Sequence, residues 1–241
     1  MTVYEKNQSV KSFDTEVVLI DIEKFSLMSA LDQVKAAVVA NGELEQFLGI
    51  SPGQSAFKLE EVVVGFVPTG DGFYVILHPQ LIGYGVVLAL SLRSMLLTAS
   101  NKTNGLFKGI QAACHYGELS AFVDITEKKN FVGPVMNNCA RLLGIKSSQA
   151  PENFLEDNNY IFCSKESIEI FKARYNYDQE GSHFKERGVR ISDWIEVKDK
   201  HGLIHVGAFV EGSRYAAYNP PHPSDFDERV RERLKPYLSE E

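Results

Sequence analysis

Cysteine is scarce in this chain, and so is any long stretch of uninterrupted apolar residues. The 3 cysteines, Cys114, Cys139 and Cys163, are odd in number, widely spaced and set among apolar neighbours. That pattern excludes a disulfide framework or a cysteine-based zinc knuckle, and reads as buried thiols in a reducing compartment. The most apolar run, residues 81–97, is marked by Ser91, Arg93 and Ser94, so it reads as a core helix and not as a bilayer span. Residues 1–14 are polar and mixed, without the apolar centre of a secretory leader. Cytoplasmic localisation without membrane insertion is therefore expected. Positive charge is also in short supply: 25 Lys and Arg stand against 32 Asp and Glu, for a net charge of −7. A general nucleic-acid binder is excluded on that balance, and any basic site for a phosphate must be local. Repeats and low-complexity tracts are absent.

What is present suits one sizeable core, since 44% of the 241 residues are hydrophobic. The coarse pattern is a strand at about 16–21, a helix at about 26–40 closed by Asn41-Gly42, and a loop holding Ser51-Pro52-Gly53. A hairpin at about 60–78 and a helix at about 80–100 follow, then strands at about 106–116 and 120–125. A helix ends near 144, residues 146–159 read as an excursion, and a strand and helix cover about 160–176. Two final strands fit about 189–197 and 203–211. Strands mixed with covering helices predict an α+β sandwich. Beyond residue 212 the composition shifts to a stiff linker, Asn219-Pro220-Pro221-His222-Pro223, and a charged segment with Phe226, Val230 and Leu234 on one stripe. That segment is either a short docked helix or a frayed tail.

Three strings carry chemistry. Val17-Val18-Leu19-Ile20-Asp21-Ile22-Glu23-Lys24-Phe25-Ser26 is an apolar strand ending on a carboxylate. Val62 to Leu77 contains two apolar runs joined at Thr69-Gly70-Asp71-Gly72. Asp-Gly between such runs is by itself a turn signal, and an Asp after a strand is by itself a helix cap. Together, two acids on strand ends can share a pair of divalent cations, the equipment of phosphoryl transfer. The third string is Asn130-Phe131-Val132-Gly133-Pro134-Val135-Met136-Asn137-Asn138-Cys139-Ala140-Arg141-Leu142-Leu143, in which Gly133-Pro134 opens a helix. Asn137 and Arg141 then share one face, with Val135, Cys139 and Leu142 toward the core. Such a pair is either a solvated helix face or a site for a crowded phosphate and a ribose.

In order and spacing, from about residue 15 to about 212, these strings resemble the catalytic domain of class III nucleotidyl cyclases. Asp21-Ile22-Glu23-Lys24-Phe25-Ser26 matches that family's first metal motif and Thr69-Gly70-Asp71-Gly72 its second. Gly109-Ile110-Gln111-Ala112-Ala113-Cys114-His115-Tyr116-Gly117-Glu118 matches a family strand, and Met136-Asn137-Asn138-Cys139-Ala140-Arg141-Leu142 its Asn/Arg helix. The resemblance implies a ferredoxin-like core with a mostly antiparallel sheet, a catalytic domain over 1–212 and a tail over 213–241. It implies two divalent cations, Mg²⁺ or Mn²⁺, held by Asp21, Asp71 and the Ile22 carbonyl. Asn137 would hold the ribose and Arg141 the phosphate, Phe25 would contact substrate, and Lys198 would hold the triphosphate tail unless it is a solvated turn residue. His115 is assigned to the strand and not to catalysis. The family splits the acids and the Asn/Arg pair across a subunit interface, so a homodimer with two composite sites is implied.

Departures from the pattern concern the base. Purine cyclases read it four residues before the hairpin Asp, with Lys or Glu, and seven before the helix Asn, with Asp, Thr or Cys. Here those positions hold Val67 and Asn130, and the usual Gly of the first motif is Lys24. The pattern resembles, more loosely, the bacterial pyrimidine cyclases of the Pycsar anti-phage system. That implies UTP, then CTP, as substrate, and a separate effector that reads the cyclic product. An adenylate cyclase with an atypical pocket and an inactive nucleotide-binding module remain the competing expectations.

Overall fold

The computed structural model describes residues 10, 12–48, 58–103, 105–107, 109–152, 154, 159–199, 202–212 and 227–238. The predicted Ser51-Pro52-Gly53 loop, the proline-rich linker and Phe226 lie outside them.

Alternation of apolar residues dictates the first layer. Strand β1 (Ser12–Ile22) sends Val18, Ile20 and Ile22 to one face and Val17 and Leu19 to the other. It is buried on both faces, which is why it reads as a continuous apolar run. Helix α1 (Ala30–Leu48), the short turn α2 (Leu59–Val62), strands β2 (Val63–Pro68) and β3 (Gly72–Leu77), helix α3 (Gly85–Lys102) and strand β4 (Ile110–Val123) follow. The sheet order β2–β3–β1–β4, with every pair antiparallel, is the ferredoxin-like arrangement. Strand β5 (Lys129–Val132) pairs back on β4, and helix α4 (Pro134–Leu143) crosses the sheet on the Val17–Leu19 side. Strand β6 (Tyr160–Ser164) lies parallel to β4 and leads into helix α5 (Lys165–Tyr175). A short helix α6 (His183–Glu186) and strands β7 (Arg190–Ile191), β8 (Ile195–Lys198) and β9 (Ile204–Glu211) complete the sheet. In total it has nine strands among the described residues.

Helices α1, α3 and α5 cover the opposite face, where the larger core lies. Helix α3 is buried nearly all round, polar marks included. Arg93 Nε donates to the Ile110 carbonyl at 2.9 Å, and its guanidinium lies 4.7 Å from the Tyr160 ring. Among the described residues, no helix is long and apolar enough to cross a membrane.

Three expectations need correction. Helix α1 runs on through Asn41-Gly42 to Leu48. A mid-helix Gly costs only about 1 kcal/mol, and burial of Leu44, Phe47 and Leu48 beyond it outweighs that. The strands read at 106–116 and 120–125 are one strand, β4. Its true turn is 124–128, where Asp124 Oδ1 accepts from Thr126 N–H at 2.7 Å. The strand read at 189–197 is split into β7 and β8. The charged C-terminal segment forms helix α7 (Glu228–Leu234), capped by Asp227. It is docked: Leu234 is buried against Ile82 and Ile170, and Arg233 donates to the Ala173 and Arg174 carbonyls that end α5.

Candidate active site

Two strand ends build the acid pair. Asp21 stands opposite Gly72 in the β1–β3 register, and Ile22 N–H donates to the Asp71 carbonyl at 2.8 Å. The hairpin therefore sits tightly on β1. Only glycine fits at 72, because a Cβ there would lie 1.9 Å from the Ile20 carbonyl oxygen. Gly70, at φ 100°, supplies the left-handed residue the turn requires. The Asp21 carboxyl is half-buried and lies close enough to Asp71 to feel its charge. Burial, then the Asp71 charge, push its pKa up to about 6. Thr69 Oγ1 steadies Asp71 Oδ1 at 3.3 Å.

Beside them the chain turns sharply. Lys24 has φ 60°, ψ 24°, the left-handed conformation that favours glycine. Phe25, next in line, leans on the larger core. Two carboxylates crowded at one point are what a hard divalent cation neutralises, and such a site suits Mg²⁺ or Mn²⁺, which also draw on water and substrate phosphate oxygens. Asp21, Asp71 and the Ile22 carbonyl would hold it. The described residues contain no group of three or more His, Cys, Asp or Glu that would form a cage without substrate.

The second half-site is on α4. Val135, Cys139 and Leu142 are buried as their spacing predicts, Asn137 is exposed and Arg141 partly so. Arg141 Nε pairs with Asp199 Oδ2 at 3.1 Å, and its Nη1 donates to Asn138 Oδ1 at 2.9 Å. Asn138 Nδ2 lies 3.3 Å from His115 Nε2. Since Asn138 offers its oxygen to Arg141, its amide donates here and the imidazole accepts. Burial pushes the His115 pKa down to about 4, which keeps the ring neutral and able to accept. Asp199 also accepts from His205 Nε2 at 3.1 Å and from Leu203 N–H at 3.0 Å. Sequence reasoning missed Asp199, Asn138 and His205. The one available signal was position, because Asp199 follows Lys198 in the segment read only for its lysines.

The remaining candidates are spread. Val67 packs in the α4-side core, opposite Tyr74 in the β2–β3 register. Tyr74 Oη donates to the Met136 carbonyl at 3.4 Å, which ties this hairpin to the start of α4. Asn130 sits on β5, and its Oδ1 accepts from Phe131 N–H at 2.8 Å. The Phe131 ring covers Gly65 so closely that a Cβ there would lie 2.2 Å from it. Lys198 is exposed on the side of the β8–β9 hairpin it shares with Ile204, whereas its neighbour pair Val197 and His205 faces the α4 side. Lys198 is thus not brought to Arg141 within one chain. Among the described residues, the acid pair and the Asn137–Arg141 face share no hydrogen bond or ion pair.

No family model and no curated protein matches this sequence. Solved structures do match. The guanylyl cyclase Cya2 superposes with a TM-score of 0.57 at 15% identity, over 84% of this chain and 94% of that one. The guanylate cyclase domain of RhGC from Catenaria anguillulae, solved with GTP, gives 0.55 at 16%, over 84% and 99%. A bacterial light-regulated adenylyl cyclase gives 0.52 at 13%, over 94% of this chain and 59% of that one. The chain has the class III nucleotidyl cyclase fold. Within that cyclase fold, Asp21 and Asp71 lie at the adjoining ends of β1 and the β2–β3 hairpin, and Asn137 and Arg141 on the helix after β5.

Proposed function

We propose that this protein is a nucleotide cyclase acting on a pyrimidine nucleoside triphosphate, UTP before CTP, to form the 3′,5′-cyclic monophosphate and pyrophosphate. The observation that carries the reading is the Asp21–Asp71 pair: two carboxylates on adjoining strand ends, with the Ile22 N–H held on the Asp71 carbonyl at 2.8 Å and the Asp71 charge raising the Asp21 pKa, on this fold. Asp21, Asp71 and the Ile22 carbonyl would hold divalent cations, which would supply a lowered pKa for the ribose 3′-hydroxyl and neutralisation of phosphate charge. Asp21 and Asp71 hold that charge at one point, on a hairpin that Gly72 keeps pressed to β1. Arg141 meets charge developing on the α-phosphate, and Asn137 orients the ribose for in-line attack.

Within one chain the acids sit together on adjoining strand ends while Arg141 is engaged with Asp199 and Asn138. That separation supports a head-to-tail homodimer in which each site takes its acids from one subunit and its Asn137 and Arg141 from the other. Base choice rests on Val67 and Asn130. Val67 offers no hydrogen bond, so a purine edge against it would leave polar atoms unpaired at about 1–3 kcal/mol each. With its Oδ1 taken by Phe131 N–H, Asn130 presents chiefly its Nδ2 donor, which suits a uracil carbonyl better than the cytosine amino group. The proposed role is a cytoplasmic second messenger in anti-phage defence, read by a separate effector.

Mixing two dead variants tests the shared site. Asp71→Ala and Arg141→Ala should each be inactive with Mn²⁺, and their mixture should regain about a quarter of wild-type activity, because random exchange makes half the dimers mixed with one intact site each. A mixture that stays inactive after demonstrated subunit exchange overturns the composite site.

A further inference from the structure

Arg141 is held at two of its nitrogens before any substrate arrives. Asp199, only 8% exposed, takes Nε at 3.1 Å, and Asn138 takes Nη1 at 2.9 Å. Each holder is itself held. Asp199 Oδ1 is fixed by Leu203 N–H at 3.0 Å and its Oδ2 by His205 Nε2 at 3.1 Å, across the β8–β9 hairpin. Asn138 is oriented by His115 on β4. The guanidinium is planar, so fixing Nε and Nη1 fixes the whole fork. Nη2 carries no hydrogen bond among the described residues, and the Arg141 side chain is 29% exposed. It offers a fork edge to solvent from a rigid mount.

We infer that Asp199, steadied by His205, is the positioning residue for Arg141, setting the guanidinium edge that meets the reacting phosphate. The inference rests on the cyclase reading. An exposed Arg has many rotamers, and each must be excluded before its charge acts in the transition state. A buried carboxylate on Nε removes that search, which raises kcat more than ground-state affinity. The arrangement also explains why a buried acid is tolerated beside a phosphate site: its charge is spent on Arg141 and His205, and on the hairpin amide. In this proposal Asp199 acts through Arg141 and is a positioning residue, not a catalytic one.

The test compares Asp199→Asn, His205→Ala and His205→Gln with wild type, using UTP and Mn²⁺. Asp199→Asn should lower kcat by tenfold or more with KM changed less than twofold. His205→Ala should give a smaller loss in kcat, and His205→Gln, whose amide can still donate to Asp199, should restore most of it. The Arg141 Nε–H resonance, assigned by its disappearance in Arg141→Lys, should be slow to exchange in wild type and fast in Asp199→Asn. That readout also distinguishes lost positioning from lost folding, since a folded variant keeps its other amide signals. Unchanged kcat in a folded Asp199→Asn overturns the inference alone. A raised kcat would make Asp199 a restraint on Arg141 and also overturn it. A wild type inactive on all four ribonucleoside triphosphates overturns the cyclase reading and this inference together.

Discussion

Replacing Asp71 by Asn should stabilise the metal-free protein while removing its response to metal. The two carboxylates share adjoining strand ends, and Asp21 has its pKa raised from 3.8 to about 6. Two units correspond to about 3 kcal/mol at 1.36 kcal/mol each. Burial is the largest cause and the Asp71 charge the second, and Asp21 is only half-buried, so solvent screening reduces the part that Asp71 accounts for to about 1 kcal/mol. The sign follows from linkage. An acid whose folded pKa is raised binds its proton more tightly when folded, so its contribution is intact below 3.8 and is lost as pH rises through about 6. The gain in Asp71→Asn should therefore be absent near pH 4 and complete at pH 8. There it corresponds to roughly 2–4 °C in Tm for a domain of this size. Asn keeps an oxygen for Thr69 and gains a donor toward Asp21, so the hairpin geometry persists. Thermal unfolding in chelator at both pH values reads the effect. Excess Mn²⁺ should then raise the wild-type Tm by mass action and leave the variant's unchanged. Equal gains at pH 4 and pH 8, or a variant less stable than wild type at pH 8, would refute the electrostatic account.

Three other substitutions probe the frame around the site. Glu16 is fully buried, its carboxylate accepting from Gly83 and Gly85 N–H at 2.6 and 2.8 Å, and burial pushes its pKa from 4.5 to about 7. Its contribution is intact below 4.5 and lost as pH rises through about 7, so Glu16→Gln should gain on wild type across that window by up to about 3 kcal/mol in urea unfolding; a pH-independent difference contradicts this. Gly72→Ala should cost about 3 kcal/mol or more, because its Cβ meets backbone and not a movable side chain, and near-wild-type stability in denaturant would show the hairpin can shift. Lys24→Gly should gain about 0.5–1 kcal/mol, the relief of a left-handed residue less the extra unfolded-state entropy of Gly, and a loss of stability on calorimetry would mean the Lys24 side chain matters to the fold.

Local chemistry made much of this molecule legible in its sequence. The acids of β1 and the β2–β3 hairpin stand out because each follows or divides apolar runs, and the buried face of α4 is legible because Val135, Cys139 and Leu142 repeat at helical spacing. What failed was punctuation. Asn41-Gly42 reads as a stop in the sequence, whereas the burial of Leu44, Phe47 and Leu48 decides where α1 ends. The 124–128 turn carries no Gly or Pro; Asp124 and a left-handed Glu127 make it, so β5 went unseen. Asp199 and His205 were invisible for a different reason: they reach Arg141 only through the pairing of β8 with β9, a contact that no local spacing encodes.

The most direct measurement offers the purified protein ATP, GTP, UTP and CTP together at equal concentration with Mn²⁺ and identifies the products by mass. Cyclic UMP as the main product, cyclic CMP as the lesser one and none from Asp71→Ala is the predicted result. Predominant cyclic AMP or cyclic GMP would contradict the base assignment to Val67 and Asn130, and no cyclic product from any of the four would contradict the cyclase reading itself.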